Sequence, residues 1–236
     1  MTRLILMPGE RADVVVDLNG RSGGTVNWMA FNSEIEGTDI PGAPGGPGNS
    51  PLKGLDLTLV ELRVGAPTVG AVTTLPESIW TLEKFAEAEA TVTRTVRMTT
   101  AGPGEPFLLD DVEFDHQVVN HLVDLNAVEI WEIEKQTNFA HPFHIHDVQF
   151  FVLDVGGQAP APELAGKKDA VMVPAFTTVR FIAKFEDFAS DEVPYMYHCH
   201  ILTHEDGGMM GQFMVIGDPD VTVEPIEFEG PARLVN

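Results

Sequence analysis

The sequence predicts an all-β fold, a sandwich or barrel of short strands, and three observations predict it. β-Branched and aromatic residues gather in runs of about seven to ten. Apolar residues at helical spacing are scarce. Gly, Pro and Asp clusters separate the runs. Short strand-like runs with turn signals between them are the pattern of packed β-sheets.

Taken in chain order, the first run follows a turn: "LILMPGERADVVVDL" reads as a strand, a Pro-Gly turn and a second strand over 12–18. It does not read as a signal peptide, because its apolar run is short and no small-residue cleavage site follows. Strands are then expected over 25–31, 55–64, 91–99, 127–133, 147–155, 177–185 and 210–217. The Pro/Gly-rich stretch 36–54 is a surface loop, and "PESIWTLEKFAEAEA" (76–90) a short helix or linker. The strands before residue 66 are too few for a complete sandwich, and those after residue 94 suffice for one. This divides the chain into an incomplete domain (1–65), a linker (66–94), a complete domain (95–218) and a tail (219–236).

Composition narrows the function. With 44% apolar and 21% charged residues, the chain reads as globular. No apolar run reaches the ~20 residues of a membrane span. Thirty-six acidic residues against 14 basic ones leave a charge of -22, which speaks against nucleic acid and anionic membranes as partners. A single cysteine, Cys199, excludes an internal disulfide.

Two histidine clusters carry the chemistry: "HPFHIH" (141–146) and "HCHILTHEDGGMM" (198–210). Side chains alternate between the faces of a strand. His198 and His200 therefore share one face and Cys199 takes the other. His144 and His146 also share a face, and His141, at an odd offset, tends to the opposite one. One group is then His144, His146, His198 and His200. The other is His141, Cys199, His204 and a methionine, the ligand set of a blue-copper electron-transfer site. A structural zinc site wants four closed ligands and would leave about half of these unused. Glu205 directly follows a ligand, either in a solvated loop or as a proton-delivering group. His116 and His121, five apart, read as surface or loop histidines. Met196, Met210 and Met214 read as packing.

The two clusters resemble the C-terminal copper motifs of multicopper oxidases, most like bacterial bilirubin-oxidase-like, spore-coat-laccase-like and cuprous-oxidase-like members. "LILMPGERADVVVDL" is similar to a late middle-domain segment of that family, and "FDHQVVNHLVDLNAVEIWEI" to the run leading into the first motif. The resemblance implies a cupredoxin-like Greek-key sandwich for 95–218 and the end of a second cupredoxin-like domain for 1–65. It implies type 1 copper on His141, Cys199, His204 and Met209, type 2 copper on His144, and type 3 copper on His146, His198 and His200. Glu205 matches the acidic residue that passes protons. The implied reaction takes electrons from a small-molecule or metal-ion reductant at the type 1 site. Electrons then pass through the Cys199–His198 and Cys199–His200 links to a trinuclear centre that reduces dioxygen to water. Catalytic roles thus fall to Cys199, His198, His200 and Glu205. Two positions depart from the family: Lys167 follows Gly166 where a Trp is common, and Thr137 stands where some relatives carry an Asp.

The trinuclear centre of the family draws two further His-x-His motifs from an N-terminal domain, and the eight histidines here do not include them. The expectation is therefore a C-terminal portion of a three-domain oxidase, completed by an N-terminal cupredoxin domain or a partner chain, and exported as most of the family is. Two alternatives stay open: a single blue-copper electron-transfer module without oxidase activity, and a structural relative with no redox role.

Overall fold

A computed structural model describes residues 4–76, 81–102 and 104–217. The tail expected over 219–236 and residues 77–80 of the expected helix or linker lie outside the described residues. The chain divides into two compact units: Arg11–Glu83, and Met1–Glu10 together with Lys84–Asn236.

In the first unit, β1 (Thr25–Phe31) and β2 (Asp56–Arg63) pair antiparallel. The strand expected over 12–18 does not form. Val14, Val15 and Val16 have the composition of a strand and are exposed, and without a ladder partner among the described residues β-propensity alone does not make one. The Pro-Gly turn before it does form, and belongs to the second unit. There the Glu10 N–H donates to the Met7 carbonyl and the Met7 N–H to the Glu10 carboxylate.

The second unit is a two-sheet sandwich. It runs β3 (Val92–Thr100), β4 (Phe107–Leu109), β5 (His121–Asp124), β6 (Val128–Lys135), β7 (His141–Ile145), β8 (Phe150–Val155) and β9 (Lys167–Lys168). Then come β10 (Ala170–Val173), β11 (Thr178–Lys184), β12 (Tyr195–Cys199), the one-turn helix α1 (Leu202–Glu205) and β13 (Met210–Ile216). One sheet has the order β10-β7-β12-β13-β5, the other β4-β3-β6-β11-β8-β9. The pairs β3–β6 and β13–β5 are parallel and the others antiparallel. Parallel neighbours need a crossover connection, and in both pairs the chain between them passes through the other sheet.

Alternation explains the core. Along β6, Glu129, Trp131, Ile133 and Lys135 point inward. Trp131 meets Phe181, Phe185, Tyr197 and Phe213 at ring distances of 5.5–6.3 Å. Each such aromatic buries roughly 150–250 Å², about 4–6 kcal/mol of transfer energy before entropy is charged. The inward Glu129 is paired with Arg94, at 2.6 and 2.7 Å, and accepts from the Trp131 indole N–H at 3.0 Å. This core fixes β7 and β12 side by side, with His198 opposite His144 and Cys199 opposite Phe143. No helix among the described residues is long and apolar enough to cross a membrane.

Candidate metal centre

Two constellations lie on the β7–β12 pair. The first joins His141 at the start of β7, Cys199 at the end of β12 and His204 in α1, with one ligand atom from each within 4.8 Å of the others. Cys199 Sγ is 3.6 Å from His204 Nδ1. The second joins His144, His146 and His198 within the same limit. The His200 ring lies 5.5 Å from both His144 and His198. Strand alternation separates the two: neighbours on β12 face opposite ways, so Cys199 enters one group and His198 the other.

The loop after β12 returns Met209 to the first group. Gly208 adopts the left-handed φ of +91°, which a Cβ would resist. The Met209 N–H then donates to the His204 carbonyl at 3.0 Å, and Cys199 N–H to the Met209 carbonyl at 3.2 Å. His141, Cys199 and Met209 are all 0% exposed. Phe107 and Phe139 lie edge-on and tilted against the His141 ring, both at 4.9 Å, and Phe107 lies 4.4 Å from His204.

Burial sets the electrostatics of this group. It pulls His141 down to about 2, with the charges of Lys135 and His204 adding to the effect. His204 falls to about 4, again by burial and then Lys135. The Cys199 thiol is pushed up to about 12 by burial, against a backbone hydrogen bond and Lys135. The two imidazoles are therefore neutral and able to ligate, whereas the thiol holds its proton until something displaces it. Both ring nitrogens of His141 are buried without a hydrogen-bond partner among the described residues. Orphaned imidazole beside a buried thiol is costly as packing and fits a soft-to-borderline metal such as copper.

The second group is more open, with His146 exposed and His144 and His200 half-buried. Backbone carbonyls set the tautomers of two of its rings. His144 Nδ1 donates to the Asp169 carbonyl at 2.8 Å, and His198 Nδ1 to the Cys199 carbonyl at 3.1 Å. A carbonyl accepts only, so Nε2 of each ring is left as the ligand atom. His198 Nε2 faces His146 Nε2 at 3.3 Å. Burial lowers the pKa of His144, His146 and His198, which favours the unprotonated form. A Glu205 carboxylate oxygen lies 3.3 Å from His198 Nδ1.

Residues 7–10 close over His200. A Cβ on Gly9 (φ +84°) would sit 2.6 Å from His200 Cδ2, so only glycine lets the turn approach the ring. The Glu10 carboxylate holds the turn against β10 by accepting from Met172 N–H at 3.3 Å.

Sequence reasoning missed three residues here. Lys135 is buried beside the first group, and its inward parity after Trp131 and Ile133 was the available signal. Gly9 carried no signal beyond its turn. His121 is no surface histidine: it is half-buried, 5.6 Å from Tyr197 and 5.3 Å from Trp131, and burial pulls it down to about 4. Its parity in β5 was hidden because the short strand was not foreseen. His116 is exposed, as expected.

The sequence model of one protein family, described as multicopper oxidase, matches residues 86–218, which is more than half of the chain. The chain belongs to the multicopper oxidase family. Copper is the metal of that family, and the sandwich is its cupredoxin-like domain. A multicopper oxidase of Staphylococcus haemolyticus is 35% identical over 137 residues, covering 56% of this chain and 30% of that protein. A laccase of Haloferax volcanii is 32% identical over 227 residues, covering 90% of this chain and 34% of that one. The solved structure of a bacterial laccase-like multi-copper oxidase from Ochrobactrum sp. superposes with a TM-score of 0.61 at 28% identity, over 70% of this chain and 39% of that one. The chain thus spans between 30% and 39% of the length of these three relatives.

Proposed function

We propose that the chain carries the blue-copper site and half of the oxygen-reducing centre of a laccase-like oxidase. The observation that carries this reading is the division of labour at the end of β12: Cys199 belongs to one ligand group while its neighbour His198 belongs to the other, with the His200 ring 5.5 Å from His144 and His198. His141, Cys199, His204 and Met209 would hold type 1 copper. His144 would hold type 2 copper, and His146, His198 and His200 type 3 copper. When bound, copper supplies one-electron chemistry, accepting electrons from a reductant at the first group and delivering them to dioxygen, which becomes water, at the second.

The residues of this chain do the rest. Cys199 gives up its proton to become a thiolate ligand. Its backbone links to His198 and His200 are the shortest covalent route between the groups. Phe107 and Phe139 keep water from the His141 edge. Glu205, in reach of His198 Nδ1, is placed to hold and pass a proton. An oxygen-reducing centre needs further imidazoles, which this reading assigns to another cupredoxin domain or a partner chain. The reductant is a phenol, a pigment or a metal ion. Of residues 1–65, those from Arg11 on are read as the end of a middle cupredoxin-like domain joined through 66–94 to the copper domain, with which residues 1–10 group.

The test is copper loading of the chain. Intense visible absorption from thiolate charge transfer, with about one copper per chain in that form, is expected. Its absence would overturn the reading. Oxygen consumption with a phenolic reductant is expected only when the completing domain is supplied; activity from no combination would favour a single electron-transfer module.

A further inference from the structure

Lys135 ends β6 and points inward by the same alternation that buries Trp131 and Ile133. Lysine is almost never fully buried without a partner. This one is 3% exposed, and among the described residues its Nζ has no hydrogen-bond partner. The Nζ lies 5.6 Å from the centre of the Phe139 ring, which itself packs 4.9 Å from His141. Its charge is felt by Cys199, His141 and His204 alike. An apolar residue would pack here at less cost, because a buried ammonium with only an aromatic face beside it and no counter-charge or hydrogen bond destabilises the fold. The position therefore asks for a reason other than stability.

We propose that Lys135 is a built-in positive charge that raises the reduction potential of copper held by His141, Cys199, His204 and Met209. The inference rests on the blue-copper reading above. The copper(II)–thiolate unit carries one net positive charge and the copper(I)–thiolate unit none. One electron arrives from a one-electron reductant; no bond breaks and Lys135 exchanges no proton. A fixed cation in a poorly screened interior repels the oxidised unit and leaves the neutral reduced unit nearly untouched. The reduced form is favoured, so Lys135 makes the site a stronger oxidant. Burial brings the side chain down to about 8, so at about pH 6 it keeps its proton.

The experiment is a redox titration of the copper-loaded chain at about pH 6, followed by its blue absorption, for the native protein and for Lys135→Met, Lys135→Gln and Lys135→Arg. Lys135→Met and Lys135→Gln are expected to shift the copper(I)/copper(II) ratio at least about tenfold towards copper(II), a fall of ~59 mV. Lys135→Arg, which keeps the charge, should stay close to native. Metal-free Lys135→Met should melt no lower than native. An unchanged or higher potential in both neutral variants overturns the role of Lys135 while the blue-copper reading stands. Unchanged potentials with a lowered melting temperature show a structural role instead and overturn it equally. A native chain that takes up copper without blue absorption overturns both.

Discussion

The two ligand groups on the β7–β12 pair share a strand and differ in almost everything else. The sulfur-bearing group is buried at His141, Cys199 and Met209, packed against Phe107 and Phe139, and drawn entirely from residues 141–209. The imidazole group is open at His146, oriented by backbone carbonyls, and backed by the turn at Gly9. The difference teaches how one strand can serve two chemistries. Alternation sends adjacent side chains into unlike environments less than one residue's reach apart. A buried thiol favours a soft ion held rigidly, whereas imidazoles suit a wider range of metals and here leave one side more exposed.

The contrast is broken most severely by Cys199→Ser. All thiolate absorption should vanish, and copper affinity at the first group should fall by more than roughly 100-fold, beyond the 10–100-fold loss typical of outer-shell partners. Uptake by His144, His146, His198 and His200 should persist. Absorption spectra and copper counts by equilibrium dialysis check both halves, and retained colour would refute the assignment.

Gly9→Ala is the opposite cut. The new Cβ meets His200 at 2.6 Å in a left-handed backbone conformation, a strain of about 1–3 kcal/mol. Copper affinity of the imidazole group is expected to drop about 10–100-fold while the blue band keeps its intensity. Equal loss at both groups would show that they are coupled through β12.

The pH dependence of the metal-free fold separates burial from ligation. Burial, with the charge of Arg94, brings His121 in the folded state down to about 4 from the ordinary 6.5. The unfolded state therefore binds more protons between these values. This part of the stability is fully present above the upper value and is lost as pH falls towards the lower one. His204 acts in the same direction. Thermal melts between about pH 7 and pH 4 should fall steadily. His121→Phe should flatten part of that slope without altering copper uptake; a slope unchanged by this substitution would assign all of it to the ligand histidines.

The smallest effect is expected from Thr137→Val. Its buried hydroxyl has no hydrogen-bond partner among the described residues, so the substitution should be neutral or stabilise by up to about 1 kcal/mol. A shifted blue band in this variant would mean that the hydroxyl reaches the copper site after all.

The strands over 127–133 and 177–185 were legible because their inward positions match the sandwich that buries them, whereas the strand over 25–31 forms by pairing with β2 and has no buried residue. The run at 12–18 has equal propensity and forms no strand, since a strand exists only through its neighbour. Ligand grouping was legible for the same reason that β6 was: odd and even positions cannot share a face. Lys135 was only half legible: its parity with Trp131 and Ile133 points it inward, yet a lysine in a charged run such as "EIEK" looks solvated until the opposite sheet is in place.

By itself, the sequence determined which residues could bind a metal and on which face of a strand each would lie, for spacing and alternation are local properties of the backbone. Only the tertiary structure decided what those faces meet. It set the burial of Cys199, the carbonyls that choose the tautomers of His144 and His198, the turn that fits His200 only as glycine, and the buried ammonium of Lys135, because burial and electrostatics depend on residues far apart in the chain.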